Sequence, residues 1–98
     1  MNLAGLDLTG LNISGANLTN TNLTEANLTG ANLTGAILTG ANLIQTNITG
    51  VNFTGANLTN TSLTGANLTD SNLTGAILTG ANLSQINISG VDFTNVVF

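Results

Sequence analysis

Large apolar residues occur in this chain at every fifth position, from residue 3 to residue 98. These twenty positions hold fourteen Leu, three Ile and three Phe, and none of them holds a polar residue. A helix would need a spacing near 3.6 residues, and a half-buried strand would need simple alternation. A period of five fits neither pattern, and a repeat this strict predicts a solenoid.

The other four positions of each pentad are patterned as well. The small position, two residues before the large apolar residue, is most often Ala, and the Asn position, one residue before it, is mostly Asn. The large apolar residue occupies the central position. The Thr position follows it, and the corner position comes next and is Gly in twelve of nineteen pentads. Side chains two residues apart in extended backbone point the same way, so the central and small positions are predicted to face inward together. Gly, Asn and Asp tolerate positive φ, which predicts a sharp turn at each corner.

The segment from Ala26 to Gly40 reads ANLTGANLTGAILTG, and similar pentads continue through all 98 residues. The chain therefore resembles the pentapeptide-repeat family over essentially its whole length. The resemblance implies an all-β fold, a right-handed quadrilateral parallel β-helix (a solenoid), in which four pentads form the four sides of one twenty-residue coil. We expect a single domain over residues 1–98, with about five coils of four pentapeptides.

A second, longer period supports a coil of twenty residues. Residues 16–55 and 56–95 are identical at 31 of 40 positions, which would correspond to two coils. In such a stack the central positions form four buried columns. The core ladder predicted from these columns comprises Leu18, Leu38, Phe53, Leu58, Leu78 and Phe93. Four small positions carry hydroxyl groups that are expected to bond nearby backbone: Thr21, Thr46, Thr61 and Ser71.

The small position changes character near both ends of the chain, where bulky apolar residues replace Ala, Thr and Ser. Two interpretations stay open: these residues plug the ends of the core, or they form adhesive faces through which copies stack head to tail. No Pro, charge run or capping helix is visible to protect the sheet edges. The chain ends two residues short of one hundred, so a following copy would continue the pentad register across a two-residue gap. The predicted end-to-end interface comprises Met1, Leu6, Leu11, Ile86, Val91, Val96 and Phe98.

Composition argues against catalysis. The chain has no Lys, Arg, His, Cys, Trp, Tyr or Pro, and its net charge is −4. Its four carboxylates are expected on flat walls without a pocket or a base: Asp7, Glu25, Asp70 and Asp92. We therefore expect no enzyme activity, no cofactor and no metal beyond weak calcium binding. The many N-x-[ST] sequons are interpreted as by-products of the repeat.

Three classes of function compete. The favoured one is a structural or protein-interaction solenoid that self-associates end to end, with a second copy or an unknown protein as partner and no nucleic acid or small-molecule substrate. The second is DNA mimicry, since some pentapeptide-repeat proteins resemble duplex DNA and protect DNA gyrase from quinolones. The third is ice or surface binding by outward ranks of threonine such as Thr9, Thr29 and Thr49.

Localisation stays open at this stage. No basic segment precedes an apolar core at the N-terminus, so no signal peptide is predicted. The apolar runs are short, so no membrane span is predicted. Filament formation would favour an extracellular or cell-surface location, and its absence would favour the cytoplasm.

Overall fold

A computed structural model describes every residue, Met1–Phe98, and contains no helix and no strand longer than one residue. One unit repeats along the whole chain: a single residue in a parallel β-bridge at the Asn position, then a turn over the Thr and corner positions. Each bridge joins residue i to residue i+20, from Asn2 and Asn22 at one end to Ile77 and Val97 at the other. Neighbouring layers of the chain are therefore twenty residues apart, with four bridges on the way around.

Backbone hydrogen bonds join the layers in a set of three at each pentad. The N–H of Leu3 donates to the carbonyl of Asn22 at 2.7 Å, and the N–H of Asn22 donates to the carbonyl of Met1 at 2.9 Å. At the corner, the N–H of Gly5 donates to the carbonyl of Thr24 at 2.9 Å. This set recurs on all four sides, so twelve backbone bonds connect the first twenty residues to the second twenty.

Each corner is a tight turn with a left-handed residue. The turn is closed by the N–H of the small position, as when Ala26 donates to the carbonyl of Leu23 at 3.0 Å. The corner residue has positive φ in every case, between 65° and 71° at glycines and between 56° and 59° elsewhere. A positive φ at this position is what a type II turn requires. The turn prediction is thus confirmed even at the seven corners without glycine: Asn20, Glu25, Gln45, Asn60, Asp70, Gln85 and Asn95.

The interior is filled by the central and small positions of the middle layers. Twenty-one buried apolar residues form one cluster. Among the core-ladder residues, those buried are Leu18, Leu38, Phe53, Leu58 and Leu78. Phe93 departs from the expectation, because it is only half-buried. It lies in the last twenty residues, where no further layer covers it.

The molecule is a short block whose extents are 30 × 26 × 22 Å. One copy is therefore hardly longer than it is wide, and a rod of any length would need several copies. None of the chain forms a helix with the length and apolarity needed to cross a membrane.

Candidate functional site

The surface offers flat walls and two ends rather than a cleft. It has no pocket that could enclose a small ligand. No group of three or more His, Cys, Asp or Glu side chains comes together in a way that could hold a metal ion. The candidate sites are therefore the four walls and the two end faces. We call the outer edge of residues 1–20 the N-terminal end face, and the outer edge of residues 79–98 the C-terminal end face.

The walls are built from Asn and Thr side chains that bond to each other. The Oδ1 atom of Asn17 accepts the N–H of Thr19 at 3.1 Å and its hydroxyl at 2.6 Å. Asn67 and Thr69 make the same pair of bonds in a middle layer, at 3.0 and 2.6 Å. Both residues are half-buried in that layer, whereas Asn47 makes the same bonds one layer earlier and is exposed. In the middle layers the walls are therefore half-buried at some Asn and Thr positions and exposed at others.

Two carboxylates take the place of the asparagine amide in this arrangement. Asp7 accepts the hydroxyl of Thr9 at 2.6 Å and its N–H at 3.1 Å, and these bonds hold the pKa of Asp7 below its ordinary value. Asp92 accepts the hydroxyl of Thr94 at 2.5 Å and its N–H at 2.9 Å, which likewise lowers the pKa of Asp92. A general base works best with a pKa near the operating pH. These carboxylates are thus better suited to closing their local turns than to moving protons.

The N-terminal end face exposes three bulky side chains of the predicted interface. Met1 is 75% exposed, Leu6 is 47% exposed and Leu11 is 44% exposed. The small positions one layer further in hold Thr or Ala and are buried. The apolar area at this end therefore belongs to the first layer alone.

The C-terminal end face is also apolar. Phe98 is 69% exposed, and its ring centroid lies 6.2 Å from that of Phe93. Ile88 is 48% exposed, although its central position suggested core. Its place among the last twenty residues was the signal that would have assigned it to the end face. The other predicted interface residues at this end are half-buried: Ile86, Val91 and Val96.

Both end faces carry backbone groups that make no hydrogen bond within the chain. On the N-terminal end face they include the N–H and C=O groups of Asn2, Asp7, Asn12 and Asn17, and the C=O groups of four residues at the Thr position: Ala4, Thr9, Ser14 and Thr19. On the C-terminal end face the free N–H groups include those of the central residues Leu83, Ile88, Phe93 and Phe98 and of the corner residues Gln85, Gly90 and Asn95. The free C=O groups there include those at the small position: Ala81, Ile86, Val91 and Val96. Between adjacent layers inside the chain, N–H and C=O groups at these same pentad positions form hydrogen bonds with each other. The free donors and acceptors of the two end faces are therefore complementary.

Corner side chains also relate one layer to the next. Where a corner residue is Asn or Asp, its Oδ1 atom lies very close to the Cβ position of the glycine twenty residues later. A side chain on that glycine would therefore require the Asn or Asp side chain to move. Three pairs show this overlap: Asn20 with Gly40, Asn60 with Gly80, and Asp70 with Gly90. The longer Gln45 approaches Gly65 less closely, with its Nε2 atom 3.3 Å from the Cβ position. At the N-terminal end face, the corners Gly5, Gly10 and Gly15 have open space there.

Comparison with known proteins identifies the family. The family model of pentapeptide repeats matches residues 2–40, 36–75 and 56–95, with eight copies of the repeat. The chain belongs to the pentapeptide-repeat family. The fold of this family is the right-handed quadrilateral β-helix, and the four bridges in every twenty residues agree with it. No curated protein matches the chain at a significant level.

Several solved structures are similar to the chain. A pentapeptide repeat protein from the thylakoid lumen of Arabidopsis thaliana is 35% identical, with a TM-score of 0.64 over 97% of this chain and 70% of that one. A pentapeptide repeat protein of Nostoc PCC 7120 is 31% identical, with a TM-score of 0.53 over 92% of this chain and 58% of that one. QnrB1, a plasmid-mediated fluoroquinolone resistance protein, is 22% identical, with a TM-score of 0.47 over 97% of this chain and 58% of that one. The chain thus spans less than two thirds of the length of the last two proteins.

Proposed function

We propose that residues 1–98 form one non-enzymatic interaction domain of about five coils, whose two end faces bind each other so that copies stack head to tail. The observation that carries this proposal is the complementarity of the free backbone groups at the two ends. Free N–H groups of one end face occupy the pentad positions that donate to free C=O positions of the other. Unpaired sheet edges of this kind favour pairing with another chain.

The apolar side chains at the ends support the same proposal. Stacking would remove Met1, Leu6 and Leu11 of one copy, and Ile88 and Phe98 of the next, from water. Full burial of such a side chain contributes about 1.5–3 kcal/mol. Because the two faces differ, the contact is heterologous, and a heterologous contact that does not close into a ring gives an open filament. A net charge of −4 opposes this stacking only weakly.

Light scattering and sedimentation velocity over a concentration series test the proposal. The 98-residue chain is expected to grow in mass with concentration. Leu6→Lys combined with Val96→Lys is expected to keep it monomeric, since each change places a charge on an apolar end face. If the bulky residues only plug the core, the parent stays monomeric at high concentration and the proposal fails.

A matched control separates the end faces from net charge. Ile37→Lys combined with Gln45→Lys also adds two positive charges, at exposed positions on a wall and a corner of the middle layers. This control is expected to assemble like the parent. Equal loss of assembly in both double variants would mean that charge, rather than the end faces, governs association.

A further inference from the structure

We propose that the contact between copies has one rotational register, in which the second copy continues the pentad count across a two-residue gap. Met1 of the next copy then stands where residue 101 would stand, and Asn95 lies under Gly15 of that copy. This inference rests on the end-to-end assembly proposed above, and it adds which of the four sides of one copy meets which side of the next.

Hydrogen bonding favours this register over its neighbours. Within the chain, central and corner N–H groups donate to carbonyls nineteen residues later, as Leu3 does to Asn22. With the same spacing across the gap, seven N–H groups of the C-terminal end face donate to carbonyls of the next copy, the donors being those of residues 83, 85, 88, 90, 93, 95 and 98. The N–H groups of residues 2, 7, 12 and 17 of that copy pair in return. The total is eleven bonds, compared with twelve between residues 1–20 and 21–40. In the alternative register the second copy is rotated about the solenoid axis by one side, so that its Met1 stands where residue 106 would stand. This copy, turned forward by one side, would form eight bonds on the same count. A copy turned back by one side would overlap residues 96–98.

The corner positions make this register testable. Asn95 has φ 58°, and Asn20 and Asn60 both have φ 57°. Each of those two asparagines places its Oδ1 atom where a Cβ would stand on the glycine of the next layer. The Oδ1 atom of Asn95 is therefore expected to project toward the corner residue above it, and a Cβ on that residue would force the Asn95 side chain to rotate away. In the proposed register that residue is Gly15 of the next copy, whereas in the register turned forward by one side it is Gly10.

Two alanine substitutions distinguish the registers because they are equivalent within one copy. Gly10 and Gly15 have φ values of 69° and 67°, and neither has an atom within 4 Å of its Cβ position. Gly10→Ala and Gly15→Ala thus carry the same backbone penalty in the monomer. In the proposed register, Gly10 lies above Gly90, which has no side chain, and only Gly15→Ala meets Asn95.

We expect Gly15→Ala to weaken association about 2- to 10-fold, because Asn95 must leave its preferred rotamer, and Gly10→Ala to leave association near that of the parent. Adding Asn95→Gly to Gly15→Ala is expected to restore assembly, because it removes the overlapping side chain. Loss of assembly with Gly10→Ala alone would assign the turned register and overturn the proposed one. Equal effects of the two substitutions would also overturn it, while leaving end-to-end assembly intact.

Cysteine pairs report the register directly, since the chain contains no cysteine. Residues twenty positions apart form neighbouring wall positions in adjacent layers. Ser89→Cys with Thr9→Cys is expected to give cross-linked ladders with a short thiol-reactive cross-linker, and Ser89→Cys with Ala4→Cys is expected to give few. The reverse result assigns the turned register. A parent chain that stays monomeric overturns both this inference and the proposed function, whereas a parent that assembles and gives the reverse cross-linking result overturns this inference alone.

Discussion

The hydroxyl of Ser71 is the one buried side-chain polar atom in the chain without a hydrogen-bond partner. Ser71 is 1% exposed at a small position, with Val51 and Val91 at the same position in the layers on either side. A buried polar group without a partner costs about 1–3 kcal/mol. The backbone N–H of Ser71 already donates to the carbonyl of Leu68 at 2.9 Å and is unaffected by the side chain. Ser71→Ala is therefore expected to raise the free energy of unfolding by about 1 kcal/mol or more.

Thr61→Ala provides the comparison, because the same kind of position carries a satisfied hydroxyl there. Thr61 is 1% exposed, and its hydroxyl donates to the carbonyl of Leu58 at 2.9 Å. Removing that bond costs about 0.5–1.5 kcal/mol, and losing a buried methyl group costs about 0.8 kcal/mol. The two alanine substitutions should therefore change stability in opposite directions.

Thermal unfolding followed by circular dichroism measures the difference. A change of 1 kcal/mol shifts the Tm of a domain this size by roughly 4–8 °C. All variants need one dilute protein concentration, because assembly would make the Tm depend on concentration. A lower Tm for Ser71→Ala would mean that the Ser71 hydroxyl rotates to bond the carbonyl of Leu68, and the reasoning would be refuted.

Four further predictions follow from the core, the walls and the charges. Leu58→Asp places an unpaired charge at a position that is 1% exposed, so the variant should be unfolded at 25 °C and show no cooperative thermal transition. The pKa values of Asp7 and Asp92 are lowered in the fold, so the stability they add is present above their unfolded pKa values and is lost as pH falls through the folded ones. In an NMR titration, Thr9→Ala should raise the pKa of Asp7 and leave that of Asp92 unchanged. Duplex DNA carries about one negative charge per 1.7 Å of its length, and this chain has only four carboxylates. It should therefore not protect gyrase from a quinolone in a supercoiling assay, and protection would favour DNA mimicry over self-association. Wall threonine hydroxyls already donate to asparagine, so thermal hysteresis should not exceed that of an inert protein at the same concentration.

The repeat made the inward positions and corners predictable from the sequence, because each pentad position has one dominant environment. A large residue and a small one at fixed spacing define the interior, and Gly, Asn or Asp after Thr defines the turn. The burial of a particular residue was harder to predict. Phe53 and Phe93 occupy equivalent positions, and only the presence of a further layer buries the first and leaves the second half-exposed.

The hydrogen bonds of short polar side chains were also hard to predict from the sequence, because the direction of each side chain depends on which partner lies within reach. The hydroxyls of Thr46 and Thr61 bond backbone carbonyls as expected, whereas that of Ser71 does not. Nor did the pattern predict that asparagine oxygens would fold back onto the next turn. The sequence predicts a polar wall equally well with the amide turned outward, so the half-burial of Asn67 required the structure.

The spacing of twenty residues between bridges determines which length mutations such a gene can tolerate. Loss or gain of a single codon would shift polar residues into the interior for the rest of the chain. An insertion of fifteen nucleotides would keep every later central residue inward, but would carry all later residues round to the adjacent wall. Sixty nucleotides, or any multiple, would lengthen the solenoid and leave each residue in its column. The near-identity of residues 16–55 and 56–95 fits a change of that kind, in which replication copies two layers at once and the vertical neighbours survive.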